Sequence, residues 1–169
     1  MKHTLFSFIT LALVACFIAG CGGDKRPDGM PKLYPASIGI TQEGEPLAGA
    51  TVQLIPGDGV DSRWGPMGMT DAAGVVVLKT NARYNGAPLG TYRVTVSKVE
   101  LEPHPHPEWS SLPDGDPNFQ KYQKILETLK PIDYVGQKYG SVTDSPLKVE
   151  ITAGGKTYPL DLEKPTGKK

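Results

Sequence analysis

The sequence predicts an all-β fold: an antiparallel sandwich of about seven strands, interrupted by an inserted segment that carries one short α-helix. Three observations predict it. Apolar residues alternate with polar ones at a period of two in several short stretches, which turns one face of each stretch inward. Turn signals built from Gly, Pro and Asp separate these stretches at short intervals, as a many-stranded sandwich requires. Between Val99 and Gly140 the rhythm breaks and a helical spacing replaces it.

Taken in order, Ala36, Ile38 and Ile40 alternate with Ser37, Gly39 and Thr41, and Ala50, Val52 and Leu54 alternate with Thr51, Gln53 and Ile55. Both runs read as strands. Glu43-Gly44-Glu45-Pro46 separates them, with a Gly for positive φ and a Pro that cannot extend a ladder. Asp71-Ala72-Ala73-Gly74 is a turn into the apolar strand Val75 to Leu78, and Tyr92, Val94 and Val96 alternate with Arg93, Thr95 and Ser97. Leu147, Val149 and Ile151 then alternate with Lys148 and Glu150, and Ala153-Gly154-Gly155-Lys156 turns the chain into Thr157 to Leu162.

The insertion, residues 99–140, opens with Pro103-His104-Pro105-His106-Pro107, which favours an extended path because each proline restricts its predecessor as well. A helix follows. Asp116 caps it, Pro117 fits its first turn, Phe119, Tyr122, Leu126 and Leu129 share a face, and Pro131 stops it. The spacing places this helix over an edge or one end of the sandwich.

Outside residues 36–162 the sequence changes character. Lys2 and His3 precede an apolar run from Leu5 to Ile18 that ends in Ile18-Ala19-Gly20-Cys21, a run short for a permanent membrane span and closed by small residues. This resembles the lipobox of bacterial lipoproteins. The resemblance implies a signal peptide over residues 1–20, cleavage between Gly20 and Cys21, and a diacylglycerol thioether on Cys21. An ordinary secreted protein with an incidental Cys21, or an uncleaved membrane helix, are the alternatives. Residues 21–35 are rich in Gly, Pro and charge and read as a tether, and residues 163–169 as a polar tail.

The chain has 169 residues, with 18 Lys and Arg against 18 Asp and Glu, so nothing in its charge favours nucleic acid or an anionic membrane surface. Its two cysteines are Cys16, which leaves with the signal peptide, and Cys21, which takes the lipid. The expected exported domain therefore has no disulfide in a compartment that permits one, and packing alone must stabilise it.

Three motifs stand in order: Gly44-Glu45-Pro46-Leu47-Ala48-Gly49-Ala50-Thr51-Val52, Thr70-Asp71-Ala72-Ala73-Gly74, and Gly90-Thr91-Tyr92-Arg93-Val94-Thr95-Val96. Together they resemble the carboxypeptidase regulatory-like domain, a transthyretin-like (prealbumin-like) sandwich of Ig-like layering. The resemblance covers about residues 36–97, with 147–162 as final strands, and it implies a scaffold without implying a ligand. A hydrolase of the broader transthyretin-like fold acts on 5-hydroxyisourate through strand histidines and a C-terminal Tyr-Arg-Gly-Ser. Here Tyr139-Gly140-Ser141 lacks the Arg and no histidine falls in an expected strand, so the resemblance does not extend to that activity.

Candidate chemistry is sparse. His104, His106 and Glu108 bring two imidazoles and a carboxylate into five residues, a set suited to zinc, copper or nickel, in competition with a solvated Pro-rich strap. No Ser lies in Gly-x-Ser-x-Gly, and Asp114 and Asp116 are explained by a turn and a helix cap. Trp64 and Trp109 lie in Pro- and Gly-rich segments, where aromatic faces stack on sugars or cover a core. The expectation is a non-enzymatic, lipid-anchored envelope module without cofactor or catalytic residues. Its expected partners are membrane lipid through Cys21 and an envelope protein or polysaccharide, and its expected location is the outer membrane rather than the inner, because no Asp follows Cys21. Carbohydrate binding through Trp64 or Trp109, or metal binding through the histidines, are the alternatives.

Overall fold

The fold is that of a computed structural model, which describes residues 26–165. The signal peptide, Gly20 and Cys21, the start of the tether and the end of the tail lie outside those residues. The chain divides into two compact units, Met1–Met30 and Pro31–Lys169. Of the first, the described part is a turn in which the Met30 amide donates to the Pro27 carbonyl at 3.2 Å, with Gly29 at φ +80°.

The second unit is an all-β sandwich of twelve short strands among the described residues: β1 (Ser37–Gln42), β2 (Glu45–Pro46), β3 (Thr51–Pro56), β4 (Pro66–Met69), β5 (Val75–Val77), β6 (Lys79–Thr80), β7 (Tyr84–Asn85), β8 (Gly90–Ser97), β9 (Val99–Leu101), β10 (Pro131–Asp133), β11 (Lys148–Ile151) and β12 (Thr157–Leu162). One sheet centres on β1, with β12 on one edge and β2 and β5 on the other; the larger sheet runs β11-β8-β3-β4-β6-β7. All pairs between strands are antiparallel except β1 with β12, which run parallel in register Ser37↔Thr157 to Gln42↔Leu162. The first and last long strands of the sandwich thus close it side by side. Asp161 fastens this seam, accepting the Thr41 hydroxyl at 2.6 Å and the Gly44 amide at 3.1 Å. Those donors hold its carboxyl below the ordinary value.

The alternation in the sequence is the alternation of the sheets. Ile38, Ile40, Val52, Leu54, Val76, Leu78, Tyr92, Val94, Val96, Val149, Ile151 and Leu162 all face inward and are buried. Burying such a side chain is worth about 1.5–3 kcal/mol, so this layer dominates the stability. The turns between strands are knitted by side chains. The buried Thr70 hydroxyl donates to the Leu47 carbonyl at 2.6 Å and accepts the Ala50 amide at 2.8 Å, while the Asp71 carboxylate accepts the amides of Ala73 and Val75, both at 2.9 Å.

Several boundaries differ from the sequence reading. Leu33 is buried and Tyr34 exchanges both backbone hydrogen bonds with Ala87 at 2.9 Å, so the bonded chain begins before Ala36 and the tether ends earlier than Pro35. Pro46 does lie in a ladder, opposite Thr41, at a position where the neighbouring Leu47 supplies the amide to Ile40. In the expected tail, Glu163 takes an ion pair from Lys138 and Lys164 pairs with Glu43 at 2.7 Å.

The insertion is not all excrescence. Its base is the two-stranded ribbon β9–β10, Val99↔Asp133 to Leu101↔Pro131. From Val135 onward the chain is back in the sandwich, with Val135 and Tyr139 in the core and a short helix, α2 (Gln137–Gly140), against β8. The helix expected from the sequence, here α1 (Pro117–Leu126, preceding α2), forms with Asp116 as its cap, the carboxylate accepting the Asn118 amide at 2.7 Å. It buries no residue fully. Its main neighbour is the 3-10 turn Pro107–Ser111 of the same insertion rather than a sandwich edge.

Candidate functional site

The residues singled out by the sequence fall into two separate loops. Trp64 ends a 3-10 turn, Ser62–Trp64, whose cap is Asp61: its carboxylate accepts the Arg63 amide at 2.9 Å and binds the guanidinium, which lies 5.5 Å from the Trp64 ring centre. Only 6% of Trp64 is exposed, and its Nε1 has no partner among the described residues. A ring covered in this way offers no open face to a sugar.

Trp109 belongs to the insertion and is half-buried under His106, the two rings stacked with centres 4.0 Å apart and planes at 12°. His106 Nδ1 stands 3.3 Å from the exposed Glu108 carboxylate. His104 accepts the His106 amide on Nδ1 at 2.9 Å, which puts its hydrogen on Nε2, where it donates to the Tyr122 carbonyl at 3.3 Å. Both nitrogens of His104 are therefore spent on backbone groups, and no lone pair remains for a metal. Among the described residues no group of three or more His, Cys, Asp and Glu gathers closely enough to hold an ion. The Pro-His strap is a local clasp that ties the insertion's extended entry to α1.

A third place, which the sequence reading missed, is a surface cleft of about 740 Å³ on the outer face of the larger sheet. Ile55, Arg93 and Lys148 stand in one row across it, since Ile55 is paired with Arg93 on β3–β8 and Arg93 with Lys148 on β8–β11. Asp58, Thr91 and Thr143 form its polar rim. The half-buried Arg93 is oriented by one guanidinium N–H, which donates to the Val142 carbonyl at 3.2 Å. Beside it, Asp144 accepts the Ser141 hydroxyl at 2.7 Å. That bond, a second from Thr143 and the charge of Arg93 hold the Asp144 carboxyl below its ordinary value. The only signal for this site in the sequence is two cations at outward positions of two strands, and the strand register that sets them opposite is not written locally.

The cleft offers two cations, hydroxyls and a small apolar floor to a ligand. A scan against protein-family models finds no match for this chain, and a search of curated proteins finds none. Among solved structures it is similar to the major pilin subunit BcpA of Bacillus cereus, at 16% identity and a TM-score of 0.40, and to a variant of that subunit, at 15% identity and a TM-score of 0.41. In both cases the match covers 81% of this chain and 31% of the pilin, so the chain spans about a third of that subunit's length.

Proposed function

We propose that this chain is a non-enzymatic module of the cell envelope, a β-sandwich held at a membrane face by lipid on Cys21 and acting by binding or by structural placement. The observation that carries the reading is the N-terminal pattern of Lys2, the apolar run to Ile18 and Ala19-Gly20-Cys21. Two or three acyl chains on one residue anchor a domain almost irreversibly, so no membrane-spanning segment is needed. Among the described residues no helix is long and apolar enough to cross a membrane. On this reading the Gly-, Pro- and charge-rich residues after Cys21 tether the sandwich to the anchor.

The scaffold belongs, on this reading, with carboxypeptidase regulatory-like sandwiches. In support, Gly49 and Gly74 take the positive φ that their motifs suggest, +70° and +73°, and Gly90 lies at +141°. Gly22 rather than Asp after Cys21 favours the outer membrane over the inner.

Growth of producing bacteria with an alkyne-tagged fatty acid, followed by intact-mass analysis, tests the proposal. The expected outcome is a labelled, membrane-partitioning protein that begins at Cys21, and a Cys21→Ser variant that is folded but unlabelled. A mature N-terminus elsewhere, or an unmodified thiol, would overturn it.

A further inference from the structure

Arg93 and Lys148 are direct cross-strand partners on one face of a sheet, where Cβ atoms stand about 5 Å apart and like charges destabilise the pairing. Among the described residues neither cation has a carboxylate within ion-pair distance. Arg93 is half-buried, and its guanidinium donates one N–H to the Val142 carbonyl at 3.2 Å. The guanidinium has five N–H donors, and the bond to Val142 uses one. Two cations set opposite each other in a cleft of about 740 Å³, within the range of small-ligand sites, offer charged N–H donors to an oxyanion.

The rest of the cleft narrows the class. Asp58 lines the same space, Asp144 lies close enough for Arg93 to act on its carboxyl, and Glu150 stands two pairs along from Lys148, opposite Thr91. Acidic groups on the rim reject a dense polyanion but accept hydroxyl donors. Thr91 and Thr143 add hydroxyls that donate or accept, and Ile55, Pro56 and Val142 supply an apolar surface for C–H groups. One anion, several hydroxyls and an apolar face together describe a carboxylate-bearing sugar.

We propose that this cleft binds a uronic-acid residue of an acidic polysaccharide, its carboxylate on Arg93 and Lys148 and its hydroxyls on Asp58, Thr91 and Thr143. The proposal names the ligand class of the envelope module proposed above and rests on that reading for its setting. It also replaces the loop tryptophans as the carbohydrate contact.

The test is calorimetric titration of the full chain in detergent micelles with oligomers of galacturonate, alginate and hyaluronan. Each oligomer is compared with its methyl-esterified form, which keeps the sugar and removes the charge. At least one acidic oligomer should bind, its ester at least tenfold more weakly, and Arg93→Gln and Lys148→Gln should each cost about tenfold while Lys121→Gln, on α1, costs nothing. No binding by any of the three, equal binding of acid and ester, or binding indifferent to both substitutions would overturn the proposal. So would equally tight binding of dextran sulfate, which would mark the cleft as a general polyanion surface. Melting temperatures accompany each variant; Lys148 is exposed, so Lys148→Gln decides the matter alone if Arg93→Gln unfolds. Binding by a protein whose Cys21 proves unlipidated would remove the anchor reading and leave the sugar site standing, and a lipidated protein without binding would do the reverse.

Discussion

Gly74 and Gly49 occupy the same backbone region, φ +73° and +70°, yet replacing each by alanine should have unequal effects. Placing an L-residue in the left-handed region costs about 1–2 kcal/mol at either site. At Gly49 that is the whole cost, because a Cβ there meets nothing within 4 Å. At Gly74 the new Cβ falls 2.5 Å from the Ile40 carbonyl oxygen, 3.0 Å from the Leu47 nitrogen and 3.2 Å from the Pro46 Cα. All three are backbone atoms, of β1, of β2 and of the residue after β2, so no rotamer change relieves the clash. Overpacking of this kind costs a further ~1–3 kcal/mol. The Gly74 carbonyl also accepts the Ile40 amide at 2.8 Å, a bond that any retreat of the turn stretches. Gly74→Ala should therefore lose about 2–5 kcal/mol and Gly49→Ala about 1–2, with Gly74→Val worse than either. Urea unfolding followed by circular dichroism reads the difference as separate midpoints at a common slope. Equal midpoints for the two alanine variants would refute the argument that close approach, rather than φ alone, makes Gly74 necessary.

Tyr92 is fully buried and its hydroxyl donates to the Pro88 carbonyl at 2.9 Å, so Tyr92→Phe should cost about 1–3 kcal/mol and Tyr92→Ala about 3–5 by thermal melting. Burial pushes its hydroxyl up to about 12 from an ordinary value near 10; the unfolded chain releases this proton first, so stability is full below pH 10 and falls as pH rises from there to about 12, a slope that Tyr92→Phe should reduce. Because the Glu102 amide donates to the Lys130 carbonyl at 2.9 Å, replacing residues 103–129 by a short Gly/Ser linker should leave the melting temperature of the sandwich nearly unchanged, whereas excising 99–140 removes Val135 and Tyr139 from the core and should abolish cooperative unfolding. His104→Ala and His106→Ala should likewise spare that melting temperature and raise amide exchange only in α1 and the strap before it.

The sequence located those strands whose inward residues are large and regularly spaced: β1, β3, β5, β8, β11 and β12. It was silent on β4, where Pro66 and Gly68 disguise the period. The structure explains that glycine: a Cβ on Gly68 would lie 2.5 Å from Cγ2 of Val76, so β5 passes too close for any side chain. The two-residue strands β2, β6 and β7 are too short to show a period at all. The β9–β10 ribbon and the parallel β1–β12 seam join residues far apart in the chain, and alternation carries no information about which strand a stretch will meet or in which direction. The helix cap at Asp116 was legible because a cap is a local device, complete within three residues.

The same division explains why the expected site residues and the observed cleft differ. Histidine and tryptophan draw attention by their chemistry, but His104, His106 and Trp109 engage one another and the Tyr122 carbonyl within the insertion, and Trp64 is covered. A group whose partners are supplied by its own loop has little interaction left for a ligand. Arg93 and Lys148 look, in sequence, like ordinary solvated positions of two amphipathic strands, each unremarkable alone. Their significance is created by register, which sets one cation opposite the other. A one-residue slip of β11 against β8 would turn Lys148 to the other face and dissolve the pair while burying Glu150 where Val149 belongs. The buried faces of Val149 and Ile151 forbid that slip, so the packing that stabilises the sandwich is also what holds two like charges together and keeps the cleft ready for an anion.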